Sequence, residues 1–259
     1  MVTSVTGHWS FVLGHWGIWA RIGATGRLRL QSAIMRVSFV IPALNEAKSI
    51  ARAVQSAWRA GAWEAIVADG GSSDDTATLA KAAGARVVTG ARGRAHQQNI
   101  GARAARGDVL LFQHADNWLA PGAVDQIRAA LANRRIGGGA FCQRIEAEGT
   151  LYRLLERGNA ARAARLKLPY GDQGIFVRRE VFWAVGGFPD VPIMEDMLLM
   201  RKLRRRVGLA LLPGPIHVSA RRWQRYGVVR QTLRNWALLA AYALGVSPER
   251  LSRFYARHE

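Results

Sequence analysis

A chain of 259 residues, 49% of them hydrophobic, is long enough for one large α/β domain with a buried core. Lysine and arginine number 37 against 18 acidic residues, and the resulting formal charge of +19 ordinarily indicates an acidic partner. However, 33 of these 37 residues are arginine, and no base-reading helix or aromatic RNA platform is visible, so we expect no nucleic-acid partner.

The single cysteine, Cys142, excludes an internal disulfide and a cysteine-based zinc site. A reducing compartment is therefore the default, and we expect a cytoplasmic protein. No apolar run reaches the roughly 18 residues that a transmembrane helix needs. The longest run, 236–246, follows Arg230 and Arg234. We expect it to form part of a helix packed on the domain, with contact at the inner face of the membrane as the alternative.

The segment 1–34 contains three tryptophans and no acidic residue, and it has no clear helical or strand period. It does not resemble a signal peptide, because its arginines follow the apolar part instead of preceding it. Met35 stands directly before the first clear strand. We therefore predict a disordered or wrongly assigned extension at 1–34 and a single domain at 35–259.

From Met35 the pattern alternates between strands and helices. The predicted elements of the first half are strands at 37–42, 64–69, 85–90 and 108–113 and helices at 46–60, 74–83 and 95–105. Strands that are nearly continuous in apolar residues and alternate with helices predict an α/β fold with a mostly parallel central sheet and helices on both faces.

The second half is less regular, without internal repeats or an interior linker. The predicted elements are strands at 137–145, 174–179, 209–214 and 216–220, helices at 150–166 and 195–206, and one or two helices within 222–244. This pattern indicates one continuous domain that ends in an amphipathic helical segment at about 222–246.

Candidate ligand-binding residues lie at or just after the ends of three predicted strands. They are Pro42, Asn45 and Glu46 for the first strand, Asp69 for the second, and His114 and Asp116 for the fourth. Ligands bind at the carboxyl ends of the strands in such sheets, so we expect these groups to converge. Turn formation and helix capping account for Ser73, Asp74 and Asp75, but they do not explain Asp69, which precedes the turn.

No glycine-rich dinucleotide motif follows the first strand, and no P-loop motif is present, which argues against both kinds of nucleotide site. His114 and Asp116 share one side of an extended segment, because residues i and i+2 of a strand face the same way. They can offer two ligands to a divalent cation. For His114, a purely structural role is the alternative.

Glu195 and Asp196 begin a predicted helix after a loop that contains proline and glycine. One interpretation is favourable negative charge at a helix N-terminus. The other is a general base whose pKa is raised by apolar shielding from Ile193, Met194 and Met197.

Seven segments together resemble the inverting family-2 glycosyltransferases of GT-A fold, in the order of that family, from residue 37 to about 223. They are VSFVIPALNE, VADGGSSDDT, GRAHQQNIGARAARGDVLLFQHAD, GDQGIFVRR, VGGFP, MED and SARRW. Within that family the chain resembles the small bacterial "transferase 2" proteins with an HAD variant of the aspartate motif.

The resemblance implies residues for the donor side. Asn45, Glu46, Asp69 and Arg94 would surround the nucleotide, and Asp69 would hydrogen-bond its base, expected to be uracil. Pro42 and His114 would complete the nucleotide-sugar site. Asp116 matches the last aspartate of the D-x-D motif and would hold Mg²⁺ or Mn²⁺ against the diphosphate.

The resemblance also implies residues for the acceptor side. Asp196 occupies the position of the catalytic base, with Glu195 beside it. Asp172 would line the acceptor and sugar side. Arg222 and Trp223 would occupy the place of the R-W in the Q-x-x-R-W motif of the processive enzymes.

Two positions depart from the pattern of the family. His114 replaces the first aspartate of D-x-D, which weakens the expectation of tight metal binding. Ser219 replaces the glutamine of Q-x-x-R-W, and the long membrane helices of polysaccharide synthases are absent from this sequence. We therefore do not expect processive polymer synthesis.

The expected function is inverting transfer of a sugar from a nucleotide-sugar donor, expected to be UDP-linked, to an acceptor hydroxyl or carboxyl. The acceptor is not identified by the sequence, and a lipid-linked or carotenoid-type molecule is one candidate. A nucleotidyltransferase is an alternative. The absence of a glycine-rich basic loop after the first strand argues against it. A catalytically weak, membrane-associated binding protein, with His114 marking the loss of activity, is another.

Overall fold

A single curled sheet organises residues 35–256, the part of the chain that the computed structural model describes. The predicted extension at 1–34 lies outside these residues. The strands are β1 Val37–Ala43, β2 Glu64–Asp69, β3 Arg86–Thr89, β4 Val109–Phe112, β5 Asn117–Leu119, β6 Ile136–Ile145, β7 Ile175–Arg178 and β8 Gly208–Val218. Their order across the sheet is β3-β2-β1-β4-β7-β6-β8-β5.

Parallel pairing dominates the sheet. β3, β2, β1 and β4 are parallel neighbours, and β6 is parallel to β8. β7 runs antiparallel to both β4 and β6, and β5 runs antiparallel to β8. The prediction of an α/β fold with a mostly parallel sheet is confirmed.

Helices cover both faces of the sheet. They are α1 Ile50–Arg59, α2 Thr76–Ala82, α3 Arg94–Ala104, α4 Ala123–Leu131, α5 Thr150–Leu166, α6 Arg179–Ala184, α7 Glu195–Leu203, α8 Arg221–Tyr226, α9 Val228–Ala243 and α10 Pro248–Ala256. None of the described helices is long and apolar enough to cross a membrane.

Alternation along β1 produces two apolar cores. Phe39 and Ile41 face a cluster that contains the apolar residues of α1 and α4, whereas Val40 packs with residues of α3, α6 and α7. Successive side chains of a strand point to opposite faces, so β1 contributes to both cores.

Several boundaries differ from the prediction. α1 begins at Ile50 instead of residue 46, and residues 46–49 form a turn in which the Glu46 carbonyl accepts hydrogen bonds from the backbone N–H groups of Ser49 and Ile50. β8 is one strand where two were predicted. Its register against β6 shifts between Phe141 and Gln143, and this irregularity lets the strand continue through its prolines.

Candidate active site

A cavity of about 660 Å³ lies where β1 and β4 end. Nine of the side chains proposed from the sequence line it: Pro42, Glu46, Arg94, His114, Asp116, Asp172, Asp196, Arg222 and Trp223. The expected convergence at the carboxyl ends of the parallel strands is therefore observed for Pro42, Glu46, His114 and Asp116. Asn45, Asp69 and Glu195 are not among the residues that line this cavity.

The carboxylate of Asp69 is held by its own turn. It accepts hydrogen bonds from the backbone N–H groups of Gly71 and Ser72, and from the Ser72 hydroxyl at 2.5 Å. The expectation that the turn does not explain Asp69 was wrong. Because Asp69 is 4% exposed, these bonds also satisfy a charge that would be costly to bury alone.

Asn45 joins the loop after β1 to the loop after β2. Its backbone adopts a left-handed conformation (φ 54°), and its side-chain oxygen accepts the backbone N–H of Ser73 at 2.9 Å. The Asn45 N–H in turn donates to the Ser72 hydroxyl. Asn45 thus shapes the loop that presents Glu46, which does line the cavity.

Asp196 is held rigidly at the start of α7. Its Oδ2 accepts the backbone N–H of Gly171 at 2.5 Å, and its Oδ1 accepts the N–H of Met197 at 2.7 Å. A side chain at residue 171 would crowd this contact, because an added Cβ would lie 3.0 Å from Asp196 Oδ2 and 3.3 Å from His114 Nε2. The close approach at Gly171 brings the carboxylate and the imidazole to one point.

Asp172 presents an unsatisfied carboxylate oxygen. Its Oδ1 is buried and has no hydrogen-bond partner among the described residues. Burial, together with the negative charge of Asp196, raises the pKa of Asp172 to about 6. Asp172 therefore gains or loses a proton close to neutral pH and can bind a ligand hydroxyl in either state.

His114 is neutral at physiological pH. Burial, reinforced by the positive charge of Arg94, lowers its pKa to about 4. Its Nε2 atom is buried and also lacks a hydrogen-bond partner within the described part of the chain. A neutral imidazole with an uncommitted nitrogen can hydrogen-bond a substrate oxygen or coordinate a cation.

Asp116 forms an ion pair with an arginine side chain. Its Oδ2 lies 3.0 Å from Nη2 of Arg221, which is also 3.6 Å from Oε2 of Glu46. The described residues contain no cluster of three or more metal-ligating side chains. A magnesium-type ion commonly takes one or two carboxylates and completes its shell with substrate phosphates and water, so Asp116 and His114 fit such an ion only together with a diphosphate.

Glu195 has a different partner from Asp196. It is 2% exposed, and its Oε1 lies 2.9 Å from Nε of Arg94. Burial raises the pKa of Glu195, and Arg94 opposes this effect. Glu195 thus lies behind Arg94, which lines the cavity, and does not line the cavity itself.

Sequence reasoning missed several residues at this site. Gln97 on α3 is buried, and its amide donates to the carbonyls of Ala43 and Ala68, which ties the ends of β1 and β2 together. Tyr170 and Arg221 also line the cavity. One face of α9 completes the wall with Gln231, Arg234, Asn235, Leu238 and Leu239. The quoted motifs include Gln97 and Arg221, but they stop before α9.

A family model described as glycosyl transferase family 2 matches residues 38–186, which is more than half of the chain. The chain belongs to glycosyl transferase family 2. The matched segment includes the residues that follow β1, β2 and β4 and those of the 3-10 turn Gly171–Gln173. A comparison with curated protein sequences gave no match.

Several solved structures are similar in fold to this chain. Glucosyl-3-phosphoglycerate synthase from Mycobacterium tuberculosis, in complex with Mn²⁺, UDP and glucosyl-3-phosphoglycerate, is 25% identical with a TM-score of 0.56; the match covers 78% of this chain and 77% of that one. TarS from S. aureus, in complex with UDP-GlcNAc, is 16% identical with a TM-score of 0.57, covering 71% and 58%. A mycobacterial protein is 23% identical with a TM-score of 0.50, covering 72% and 66%.

The three similar structures differ in identity and in the share of their length that this chain covers. TarS and the mycobacterial protein share the GT-A fold with this family-2 chain, and the chain spans less than two thirds of each. The synthase was also solved with Mn²⁺, UDP-glucose and phosphoglyceric acid, at 27% identity. Its donor and cation bear on the proposed function of this chain.

Proposed function

We propose that the protein is an inverting glycosyltransferase that moves a sugar from a UDP-linked donor to an acceptor hydroxyl. The observation that carries the proposal is one cavity in which Asp116, Asp172 and Asp196 meet two arginines, Arg94 and Arg222. The arginines suit a diphosphate, and the carboxylates suit a cation and hydroxyl groups. The synthase solved with UDP and Mn²⁺ supports this class of donor.

In the proposed reaction, Asp196 accepts the proton of the acceptor hydroxyl as its oxygen forms a bond to the anomeric carbon of the donor sugar. The bond from that carbon to the diphosphate breaks on the opposite face, so the configuration inverts and UDP leaves. Two backbone N–H groups hold the Asp196 carboxylate in place, which keeps its orientation fixed for proton transfer.

The leaving diphosphate gathers negative charge in the transition state. Arg94, held by the buried Glu195, and Arg222 line the cavity where this charge would form. A divalent cation on Asp116, Mg²⁺ or Mn²⁺, would supply further neutralisation when bound. His114, which is neutral, would offer a hydrogen bond to the donor or a nitrogen to the cation.

We propose a lipid-linked or carotenoid-type acceptor. Leu238 and Leu239 of α9 line the cavity together with Trp223, so apolar surface lies in the same cavity as the proposed base. Such surface suits a substrate with an apolar body and a reactive polar end. Transfer from UDP-glucose or UDP-GlcNAc to a polyprenyl or hydroxylated carotenoid acceptor would support this class. Transfer only to water-soluble hydroxyl compounds would contradict it.

The substitution Asp196→Asn tests the base. We expect transfer to fall about 10²- to 10⁴-fold, the usual contribution of a general base. UDP affinity should stay close to that of the unchanged protein, because Asp196 is assigned to the acceptor and not to the nucleotide. Turnover would be followed by UDP release and UDP affinity by calorimetry. Normal turnover of the variant would refute the assignment.

The products of the reaction separate the proposal from a nucleotidyltransferase. Sugar transfer releases UDP, whereas nucleotidyl transfer to a sugar phosphate releases pyrophosphate. We expect UDP without pyrophosphate. A protein that binds UDP with Mn²⁺ but neither transfers nor hydrolyses any donor would instead be the binding protein of the same fold.

A further inference from the structure

Helix α9 has two faces with different surroundings. On one face Gln231 is 4% exposed, and Asn235 and Leu238 line the cavity. These positions recur at intervals of three and four residues, so they lie along one side of the helix. This side of α9 forms part of the cavity wall.

The opposite face of α9 is apolar and exposed. Val229 is 60% exposed, Leu233 56%, Trp236 60% and Leu244, just beyond the helix, 87%. Together with the exposed Ala240, they follow the spacing i, i+4, i+7, i+11 and i+15, which aligns them on one side. We call these five residues the α9 stripe.

The segment that carries the α9 stripe is basic. Residues 221–247 include five arginines and no acidic residue, and Arg230 is the one of these arginines that does not line the cavity. The α9 stripe is apolar and contains a tryptophan, and the charged residues of its helix are all arginines. This composition is typical of helices that lie in the surface of an anionic bilayer. A second copy of this chain is a poorer partner, because it would bring another basic segment, and a second charge of +19, against the first.

We infer that the α9 stripe docks into the surface of a lipid bilayer that carries anionic headgroups. Arg230, which does not line the cavity, and the net positive charge of the chain would favour the headgroups, while Leu233 and Trp236 enter the boundary of the acyl chains. The docking itself does not depend on the proposed function, but its consequence for the acceptor does. Since the other face of α9 lines the cavity, docking would hold the proposed site next to lipid-borne acceptors.

Vesicle flotation of the full chain tests the inference. The probes are vesicles of phosphatidylcholine alone and vesicles of phosphatidylcholine mixed with phosphatidylglycerol. We expect flotation with the anionic vesicles, and less of it at high salt, because salt screens the arginines. Absence of binding to anionic vesicles would overturn the inference.

Two exposed leucines provide a matched pair of variants. Leu233→Ser removes one residue of the α9 stripe, and Leu154→Ser removes a 63% exposed leucine from α5. Because Leu233→Ser removes apolar surface that would leave water on docking, it should weaken vesicle binding about tenfold, while Leu154→Ser leaves it unchanged. Equal binding by both variants would overturn the inference, as would a mass measurement showing a dimer that Leu233→Ser dissociates.

UDP binding measured on the same proteins separates this inference from the proposed function. Leu233 does not line the cavity, so Leu233→Ser should bind UDP with Mn²⁺ as the unchanged protein does. Vesicle binding without any UDP binding would leave the membrane contact standing and refute the proposed function. UDP binding without vesicle binding would do the reverse.

Discussion

Arg221 neutralises two carboxylates that line the cavity. Its guanidinium lies 3.0 Å from Asp116 and 3.6 Å from Glu46, although Arg221 and Asp116 are 105 residues apart in the chain. The contact with Asp116 raises the pKa of Arg221, so this residue remains charged. A cation that binds Asp116 must share or displace this guanidinium.

The substitution Arg221→Gln should therefore strengthen Mn²⁺ binding in the absence of nucleotide. Arg221 is 59% exposed, and exposed ion pairs contribute only about 0.2–1 kcal/mol, so we expect a gain of about two- to fivefold. Electron paramagnetic resonance of Mn²⁺ measures the affinity directly. Arg230→Gln, on α9, is the matched control that keeps the Arg221 contact. Unchanged or weaker Mn²⁺ binding by Arg221→Gln would show that the two cations do not compete.

Asp172 should make the stability of the protein depend on pH. Its folded pKa of about 6 exceeds the ordinary value of 3.8, so the folded state binds the proton more tightly than the unfolded chain. Stability then falls as pH rises from about 4 to about 6, and the full loss is present above pH 6. Asp172→Asn removes this loss.

We therefore expect Asp172→Asn to be more stable than the unchanged protein at pH 8, by up to about 3 kcal/mol, because two pKa units correspond to about 2.7 kcal/mol. The difference should shrink as pH is lowered below 6. Urea unfolding of both proteins at pH 8 and pH 4.5 measures it. A variant that is destabilised at pH 8 would mean that the ionised carboxylate is well stabilised in the fold.

At the scale of elements, the sequence predicted the strands of the central sheet because each is a short apolar run between turn residues. β5, with three residues, and α6, with six, are too short to show a period. The α4 segment does show one: Val124, Ile127 and Leu131 are spaced for one helical face, and all are buried. That helix was predictable from the sequence, but we did not predict it.

The part of the cavity wall that follows β1 and β4 was predictable for a related reason. Polar groups that end parallel strands must meet at one edge, so their positions follow from chain order alone. The contacts of Arg221, and the α9 wall, depend on where the chain returns after β8, which no local pattern specifies. The orientations of Asp69 and Asn45 likewise depend on hydrogen bonds. The partner of Asp69 lies in its own turn, and the partner of Asn45 lies in a neighbouring loop.

Substitutions at two helical glycines should change the stability of the protein in opposite directions, because the packing around the two positions differs. At Gly101 on α3 an added Cβ would lie 2.4 Å from Cγ1 of the buried Val40, whereas nothing lies within 4 Å of one at Gly158 on α5. Alanine is favoured over glycine in helices by about 1 kcal/mol. Gly158→Ala should therefore stabilise the protein by up to that amount.

Gly101→Ala should instead destabilise it by about 1–3 kcal/mol, the cost of forcing an extra carbon into a packed core. Val40 is β-branched and fully buried, so it has little freedom to move away. Denaturant unfolding of the two variants beside the unchanged protein measures both effects. Equal effects of the two substitutions would show that α3 does not pack as tightly on β1 as the structure indicates.

At the scale of the whole molecule, the two halves of the sheet contribute different parts of one cavity. The parallel half carries Pro42, Glu46 and Asp116, while the 3-10 turn before β7 and the start of α7 carry Asp172 and Asp196. A donor that fills this cavity contacts both halves. Binding should therefore stabilise the entire fold and not one local segment.

The corresponding prediction is a thermal shift that depends on both base and cation. A ligand at 100 times its dissociation constant stabilises the folded state by about 2.7 kcal/mol, which for a domain of this size raises Tm by about 5–10 °C. We expect UDP with Mn²⁺ to give the largest shift, UDP alone a smaller one, and ADP or GDP little. Asp116→Asn is the control for the cation, because the amide keeps the shape but loses the charge. Its shift with UDP and Mn²⁺ should fall to that of UDP alone. An undiminished shift in Asp116→Asn would mean that the cation is held by other groups, and a larger shift with ADP or GDP would refute uracil as the base.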